Sequence, residues 1–295
     1  WINPDTSQKN KDLNLFKMLE NNPINRIDQL GNVPVPTIAH YFWDGSNIPA
    51  HHLRNTLMFK QLNPDYEVNI WTSKYARALT TLSEMEISSQ PADRYLSNTH
   101  GTSLAIRTTQ ELFDILSAHY GQTKIIESIF TRESNGPYSN PASGSDVIEL
   151  AAVYSLGGVY MDTDVAVTGG IGTLEAPHGA LARLEGQSTS NAVIASAPQS
   201  PIIKKLLDTV VTNYTTAPFM TDREEKINLG WSKKRSAPGE GLFSRFKLTM
   251  HMTGPEIFAD QLRNVNPAEY SVPIEYFAQV DNKMSIHARP ATRTL

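Results

Sequence analysis

The stretch 156–165 limits the fold more than any other part of the chain. It reads Leu156-Gly157-Gly158-Val159-Tyr160-Met161-Asp162-Thr163-Asp164-Val165 and follows a helix-like run over 145–155. Paired glycines end that run, an apolar segment follows, and two carboxylates one residue apart close it. This order predicts a helix, a tight turn, a buried strand and an acidic strand end. In an extended segment residues i and i+2 point to one side. Asp162 and Asp164 are therefore expected to face one site, with Thr163 pointing away. Two hard carboxylates suit a divalent cation that also takes phosphate oxygens. Open α/β sheets bind ligands beyond the carboxyl ends of their strands.

The rest of the chain supplies further elements. Residues 1–33 are polar, with a short helical pattern at Leu13, Phe16 and Leu19, and are expected to be a peripheral segment. The main domain is expected to fill 34–295. Residues 37–43 and 66–71, rich in β-branched and aromatic side chains, predict two buried strands. Between them 50–62 predicts an amphipathic helix stopped by Asn63-Pro64-Asp65. The region 74–135 reads as a mostly helical excursion. Residues 135–144 form a turn-rich loop in which Ser143 or Ser145 caps the next helix. That places Asp146 in the first turn, where the helix dipole stabilises an acid. Residues 165–177 read as a Gly-rich connection, 180–185 as a strand and 186–190 as a flexible loop. A strand over 191–198 and a helix from Pro201 follow. The basic stretch 221–240 with Trp231 is either a partner-recognition loop or a solvated surface. Thr253-Gly254-Pro255 opens a helix, and 272–277 is a late strand.

Composition removes several function classes. Lys and Arg total 26 against 30 Asp and Glu, giving a net charge of −4, so no basic surplus points to nucleic acid. The absence of Cys excludes disulfides, thiolate metal sites and a Cys nucleophile. It fits work in a reducing cytosol or a chain that unfolds in transit. No apolar run reaches membrane-spanning length. Neither a P-loop nor an EF-hand pattern is present. The first residues match no secretory leader and lack Met, so an excised domain is expected.

Gly-Gly-Val-Tyr-Met-Asp-Thr-Asp, with Ser145-Asp146 a helix length upstream, resembles the metal-binding segment of glycosyltransferases of the GT-A fold. More narrowly it is similar to protein-modifying bacterial toxins, the large clostridial glucosylating toxins and most nearly the PaTox type of Photorhabdus. The strand, helix, Asn-Pro-Asp-Tyr and strand order over 37–71 resembles their nucleotide-sugar half-domain, and the resemblance covers roughly 34–290. It implies an α/β, Rossmann-like GT-A fold with helical insertions. It implies Asp162, Asp164 and Asp146 as catalytic groups. Trp43, Tyr160, Asp146, Asn191 and His251 would bind the donor, with Trp43 stacking on uracil. Asp164 would chelate a Mn2+ or Mg2+ ion directly. Asp162 would hold sugar hydroxyls or reach the ion through water, and Asn282 or His287 would complete the metal site. The donor would be a UDP-sugar, and the reaction would retain configuration. The acceptor would be a Tyr or Thr hydroxyl of a host small GTPase. The setting would be a secreted toxin acting in the host cytosol, with membrane association through the N-terminal segment or flanking domains.

One departure stands out. The clostridial toxins carry Arg three residues after the Asp146 position, where this chain has Glu149. Either the sugar pocket differs or another base, such as Arg107 or Lys283, supplies the positive charge, and UDP-N-acetylglucosamine is the first expected donor. The tail also lacks the Trp expected in a closing lid. Two other readings stay open, a polysaccharide-building transferase of the same fold and a catalytically silent nucleotide-sugar-binding module.

Overall fold

Strand β2 (Ile38–Phe42) lies inside the main sheet and anchors it. The computed structural model describes residues 33–81, 104–135, 139–176, 180–185, 188–215, 249–262 and 277–279, apart from Ser46, Leu79 and His251. In chain order the first elements are β1 (Val33–Pro34), β2 (Ile38–Phe42), α1 (Ala50–Leu62), β3 (Glu67–Thr72) and β4 (Leu104–Thr108). Next come α2 (Thr109–Ser117), α3 (Thr123–Asn135), α4 (Pro141–Leu156), β5 (Gly158–Met161), β6 (Val165–Val167) and β7 (Glu175–Ala176). The chain continues with β8 (Ala180–Glu185), β9 (Ser188–Ser196), α5 (Pro201–Thr215), α6 (Pro255–Leu262) and β10 (Phe277–Gln279).

Six strands form one sheet in the order β4-β3-β2-β5-β9-β8. β2 runs parallel to both β3 and β5, and β3 runs parallel to β4. β9 is antiparallel to β5 and to β8. The chain lays β3 and β4 on one side of β2, then returns to place β5 on the other. This reversal opens a crevice at the carboxyl ends of β2 and β5, the position where doubly wound sheets bind ligands.

Both faces of the sheet are covered, which explains the near-continuous apolar strands. Alternation splits each strand between two cores. His40, Phe42, Trp71, Tyr160 and Ile194 are buried, and the last four join α2 to α6 in one cluster. Ala39, Tyr41, Val68, Ile70, Val159, Met161 and Val193 join Leu53 and Phe59 of α1 with Val165 and Val167 of β6 in the other. The two-stranded ladders β1–β7 and β6–β10 are both antiparallel.

Several expectations need correction. The described part of the excursion over 74–135 is mostly helical, as expected, but it also holds a strand that was not, because 104–108 is the parallel edge strand β4. Leu104-Ala105-Ile106-Arg107-Thr108 is too short to carry a period that separates strand from helix, and pairing with β3 decides it. The long helix begins four residues before Ser145, with Pro141 at its first turn and Asn140 at the cap. Proline's fixed φ favours that position, and the side chain of Asn140 turns instead to Ser143 Oγ (2.9 Å) and Thr249 Oγ1 (2.6 Å). Residues 188–190 belong to β9 rather than a loop, and the 165–177 connection contains β6 and β7. The expected peripheral segment apart from Val33, the basic stretch 221–240, the late strand before Phe277 and the tail from 281 lie outside the described residues.

Candidate functional site

The site starts at the end of β5. Gly157 and Gly158 adopt positive φ values of 66° and 91°. A Cβ on Gly158 would lie 2.3 Å from the carbonyl oxygen of Ile38. Only glycine permits this close entry beside β2. β5 then runs to Met161, where Asp162 N–H donates to Ala192 O (2.9 Å). Here the geometry differs from the extended segment expected. Val165 N–H donates to Asp162 O (3.0 Å), so 162–165 is a tight turn. Thr163 is buried in the turn against α1. It is 8% exposed, while Asp162 and Asp164 are half-buried. His52 Nδ1 lies 2.6 Å from Thr163 Oγ1, and Asn55 Nδ2–H donates to Thr163 O (2.9 Å).

Helix α4 brings in the second part. Asp146 lies past the first turn, so the helix dipole does not account for it. It is 6% exposed and accepts two hydrogen bonds. Asn191 Nδ2–H donates to its Oδ1 (2.7 Å) and Thr253 Oγ1–H to its Oδ2 (2.5 Å). The same Asn191 amide group donates to Glu149 Oε1 (2.7 Å). Tyr160 O–H donates to Asp162 Oδ1 (3.1 Å), and its oxygen lies 3.1 Å from Ser145 Oγ. Asp146, Asn191, Tyr160 and Asp162 were all named from sequence, and they converge here from α4, β9 and β5.

Burial dominates the electrostatics. It pushes the Asp146 carboxyl up to about 7, against the opposing hydrogen bonds from Thr253 and Asn191. Glu149 is driven well above the carboxylate range by burial, then by the negative charges of Asp146 and Asp162. Burial, then Asp162 and Glu149, also raise the Tyr160 phenol. That phenol therefore stays protonated and donates.

Trp43 follows β2, on the other wall of the crevice. Its ring meets that of His52 edge-on at 5.1 Å. The turn after it is fixed by Asp44, which accepts from Ser73 N–H (2.7 Å) and Ser73 O–H (2.8 Å). Arg107 lies 4.8 Å over the Trp71 ring and 3.9 Å from Glu111 on the edge strand. His40 is a packed strand residue. Trp71 Nε1–H donates to its Nδ1 (3.1 Å), and its Nε2 lies 2.8 Å from Gly157 O. Burial lowers it to about 4, so it is neutral and donates from Nε2. His251, Asn282, His287 and Lys283 lie outside the described residues.

Residues 49–180, from α1 past the acidic turn to β8, match the model for a glycosyltransferase sugar-binding region containing a DXD motif. The fold is GT-A, and the matched region is similar to that of glycosyltransferases. Among solved structures, the PaToxG glycosyltransferase superposes with a TM-score of 0.55 at 21% identity, covering 80% of this chain and 71% of that one. The UDP-bound glycosyltransferase domain of the YGT toxin gives 0.55 at 15% identity over 81% and 79%. The catalytic domain of alpha-toxin from Clostridium novyi gives 0.53 at 12% identity over 89% and 81%. A 74-residue stretch is 34% identical to the Arabidopsis thaliana protein At4g19900, spanning 25% of this chain and 12% of that protein.

Sequence reasoning missed Thr253, Ser145, His52 and Asn55 as site groups. Thr253 sits in the Thr-Gly-Pro signal, which drew attention to His251 instead. Nothing local marks His52 or Asn55, whose contacts span 111 and 108 residues.

Proposed function

We propose that this domain moves a sugar, N-acetylglucosamine as first choice, from a UDP-sugar to a Tyr or Thr hydroxyl of a host small GTPase, with retention of configuration. The observation that carries the reading is the acidic turn at the β2–β5 reversal, flanked by the Asp146–Asn191 network. A UDP-bound relative of the same fold supports the donor class.

The donor set of the turn is two carboxylates, the hard oxygen ligands that Mn2+ and Mg2+ accept. Among the described residues no cluster of three or more His, Cys, Asp or Glu is placed to hold an ion by itself. Asp162 and Asp164 therefore fit a cation shared with a diphosphate. Bound there, the cation offsets the charge that builds on departing UDP. Tyr160 fixes the Asp162 carboxylate through its hydroxyl. Trp43 offers an aromatic face to uracil at the β2 exit. Asp146 and Asn191 would hold sugar hydroxyls as acceptors, Asn191 through its amide oxygen, because its amide N–H groups go to Asp146 and Glu149. Glu149 brings no fixed positive charge, and the protonated acid instead holds the Asn191 amide. His251 would join the donor pocket, and Asn282 and His287 would complete the metal site from the tail. Peripheral 1–33 and the GT-A domain over 34–295 would form part of a secreted bacterial toxin, acting in the host cytosol and at its membrane.

The test is UDP release from a panel of UDP-sugars, with Mn2+ and with EDTA. One donor should turn over with metal, and the Asp162→Asn/Asp164→Asn variant should lose at least a hundredfold of that rate, the scale of removing a transition-state charge partner. Metal-independent turnover, or an unaffected variant, would sink the reading. A small GTPase offered as acceptor should then gain one sugar mass.

A further inference from the structure

We propose that His52 and Asn55 of α1 are positioning residues for the acidic turn. They fix Thr163 so that Asp162 and Asp164 present their carboxylates together to a cation and diphosphate. The proposal rests on the donor-site reading above.

A surface turn normally leaves its central hydroxyl and carbonyl to water. In this turn α1 takes both. His52 and Asn55 are three residues apart, so they share one face of α1. His52 Nδ1 holds the Thr163 hydroxyl at 2.6 Å, which sets the side-chain torsion. Asn55 Nδ2–H holds the Thr163 carbonyl at 2.9 Å, which sets the plane of the peptide leading into Asp164. On the other flank Ala192 O holds Asp162 N–H at 2.9 Å. Both acids are thus fixed through their own backbones. His52 is itself oriented, with Trp43 edge-on at 5.1 Å and His51 at 4.4 Å.

The contacts are not required to dock the helix. Leu53 and Phe59 are 1% and 0% exposed and share a core with Tyr41, Met161, Val165 and Val167. That apolar seam holds α1 on the sheet. The polar pair adds direction rather than adhesion. Fixing ligand direction in advance removes an ordering cost from binding, and loss of such supporting partners typically weakens metal affinity by about 10–100-fold.

The test uses calorimetric binding of UDP with Mn2+ and with EDTA, together with melting of the ligand-free protein. Thr163→Val removes the hydroxyl at constant shape, and Asn55→Ala removes the amide. Each should cut the Mn2+-dependent gain in UDP affinity by about tenfold, leave metal-free UDP affinity within about twofold, and leave the metal-free melting temperature nearly unchanged. Thr163→Ser and His52→Asn, which keep a polar partner, should retain most of the gain. Variants that keep the full gain overturn the proposal. So do variants that lose affinity equally with and without Mn2+ in step with lower melting, because that is a structural role. A parent protein with no Mn2+-dependent gain refutes the donor-site reading itself, and is told apart by failing before any variant is made.

Discussion

Replacing Asp146 by Asn should stabilise the ligand-free protein at neutral pH while removing transfer activity. Burial raises the carboxyl from 3.8 to about 7. The folded state therefore keeps a proton that the unfolded chain has released. Stability from this group is fully present below about pH 4 and is lost as pH rises through about 7. A shift of that size costs the folded protein about 4 kcal/mol once the group is fully ionised. Asn keeps one oxygen for the Asn191 amide. Its own amide faces Thr253 Oγ1, which must change from donor to acceptor, and the exchange of a charged for a neutral hydrogen bond gives back about 2 kcal/mol. The net gain is about 2 kcal/mol at pH 8 and nothing, or a slight loss, at pH 4. At about 2–4 °C per kcal/mol the variant should melt about 4–8 °C higher at pH 8. The assay is calorimetric melting of parent and variant at pH 4, 6 and 8, followed by UDP release. Carboxylates remote from the site, such as Glu111, held low first by the Thr108 amide, titrate alike in both and cancel in the difference, which carries Asp146 together with the Glu149 it faces. Parallel pH profiles, or a variant that melts lower at pH 8, would refute the reasoning.

Gly158→Ala should cost more than about 3 kcal/mol, because φ is 91° and the new methyl would sit 2.3 Å from Ile38 O. Gly172→Ala, at φ 62° but in open space, should cost only about 1 kcal/mol. Equal melting losses would refute the steric account. Trp71→Phe removes the indole N–H that His40 Nδ1 accepts at 3.1 Å and should cost about 2 kcal/mol. Urea unfolding should show a lower midpoint with an unchanged slope. A changed slope would instead mean that the unfolded or native ensemble had altered.

The parts of the fold legible in the sequence are those whose signals are local. The apolar alternation of β2 and β3, the Asn-Pro-Asp stop of α1 and the glycine pair before β5 each act within a few residues. The glycines were read as a turn, and their positive φ and approach to Ile38 and Pro198 give the reason. The edge strand β4 stayed hidden because a five-residue segment has no distinctive period and its partner, β3, lies more than thirty positions earlier in the chain. The start of α4 was placed late because two serines offered caps, whereas Asn140 and Pro141 begin the helix. The two acids were identified, but their geometry was not. Period-two reasoning assumes extended backbone, and the Val165-to-Asp162 hydrogen bond closes a turn there instead.

Glu149 shows most clearly why the rest of the site was not legible. Read as a charged residue, it looked like a reversal of sign in a phosphate-facing pocket. In the fold it is 1% exposed and shares the Asn191 amide with Asp146. Its charge state is therefore set by three partners drawn from α4, β9 and the acidic turn, and one residue type cannot announce that. One amide and the hydroxyls of Thr253 and Tyr160 cannot balance three full negative charges on Asp146, Glu149 and Asp162. In the ligand-free protein bound protons make up the difference, which is why burial leaves Glu149 neutral and Asp146 near 7. The acids at this crevice thus weaken the ligand-free fold at neutral pH, a pattern that fits a functional site better than a structural one.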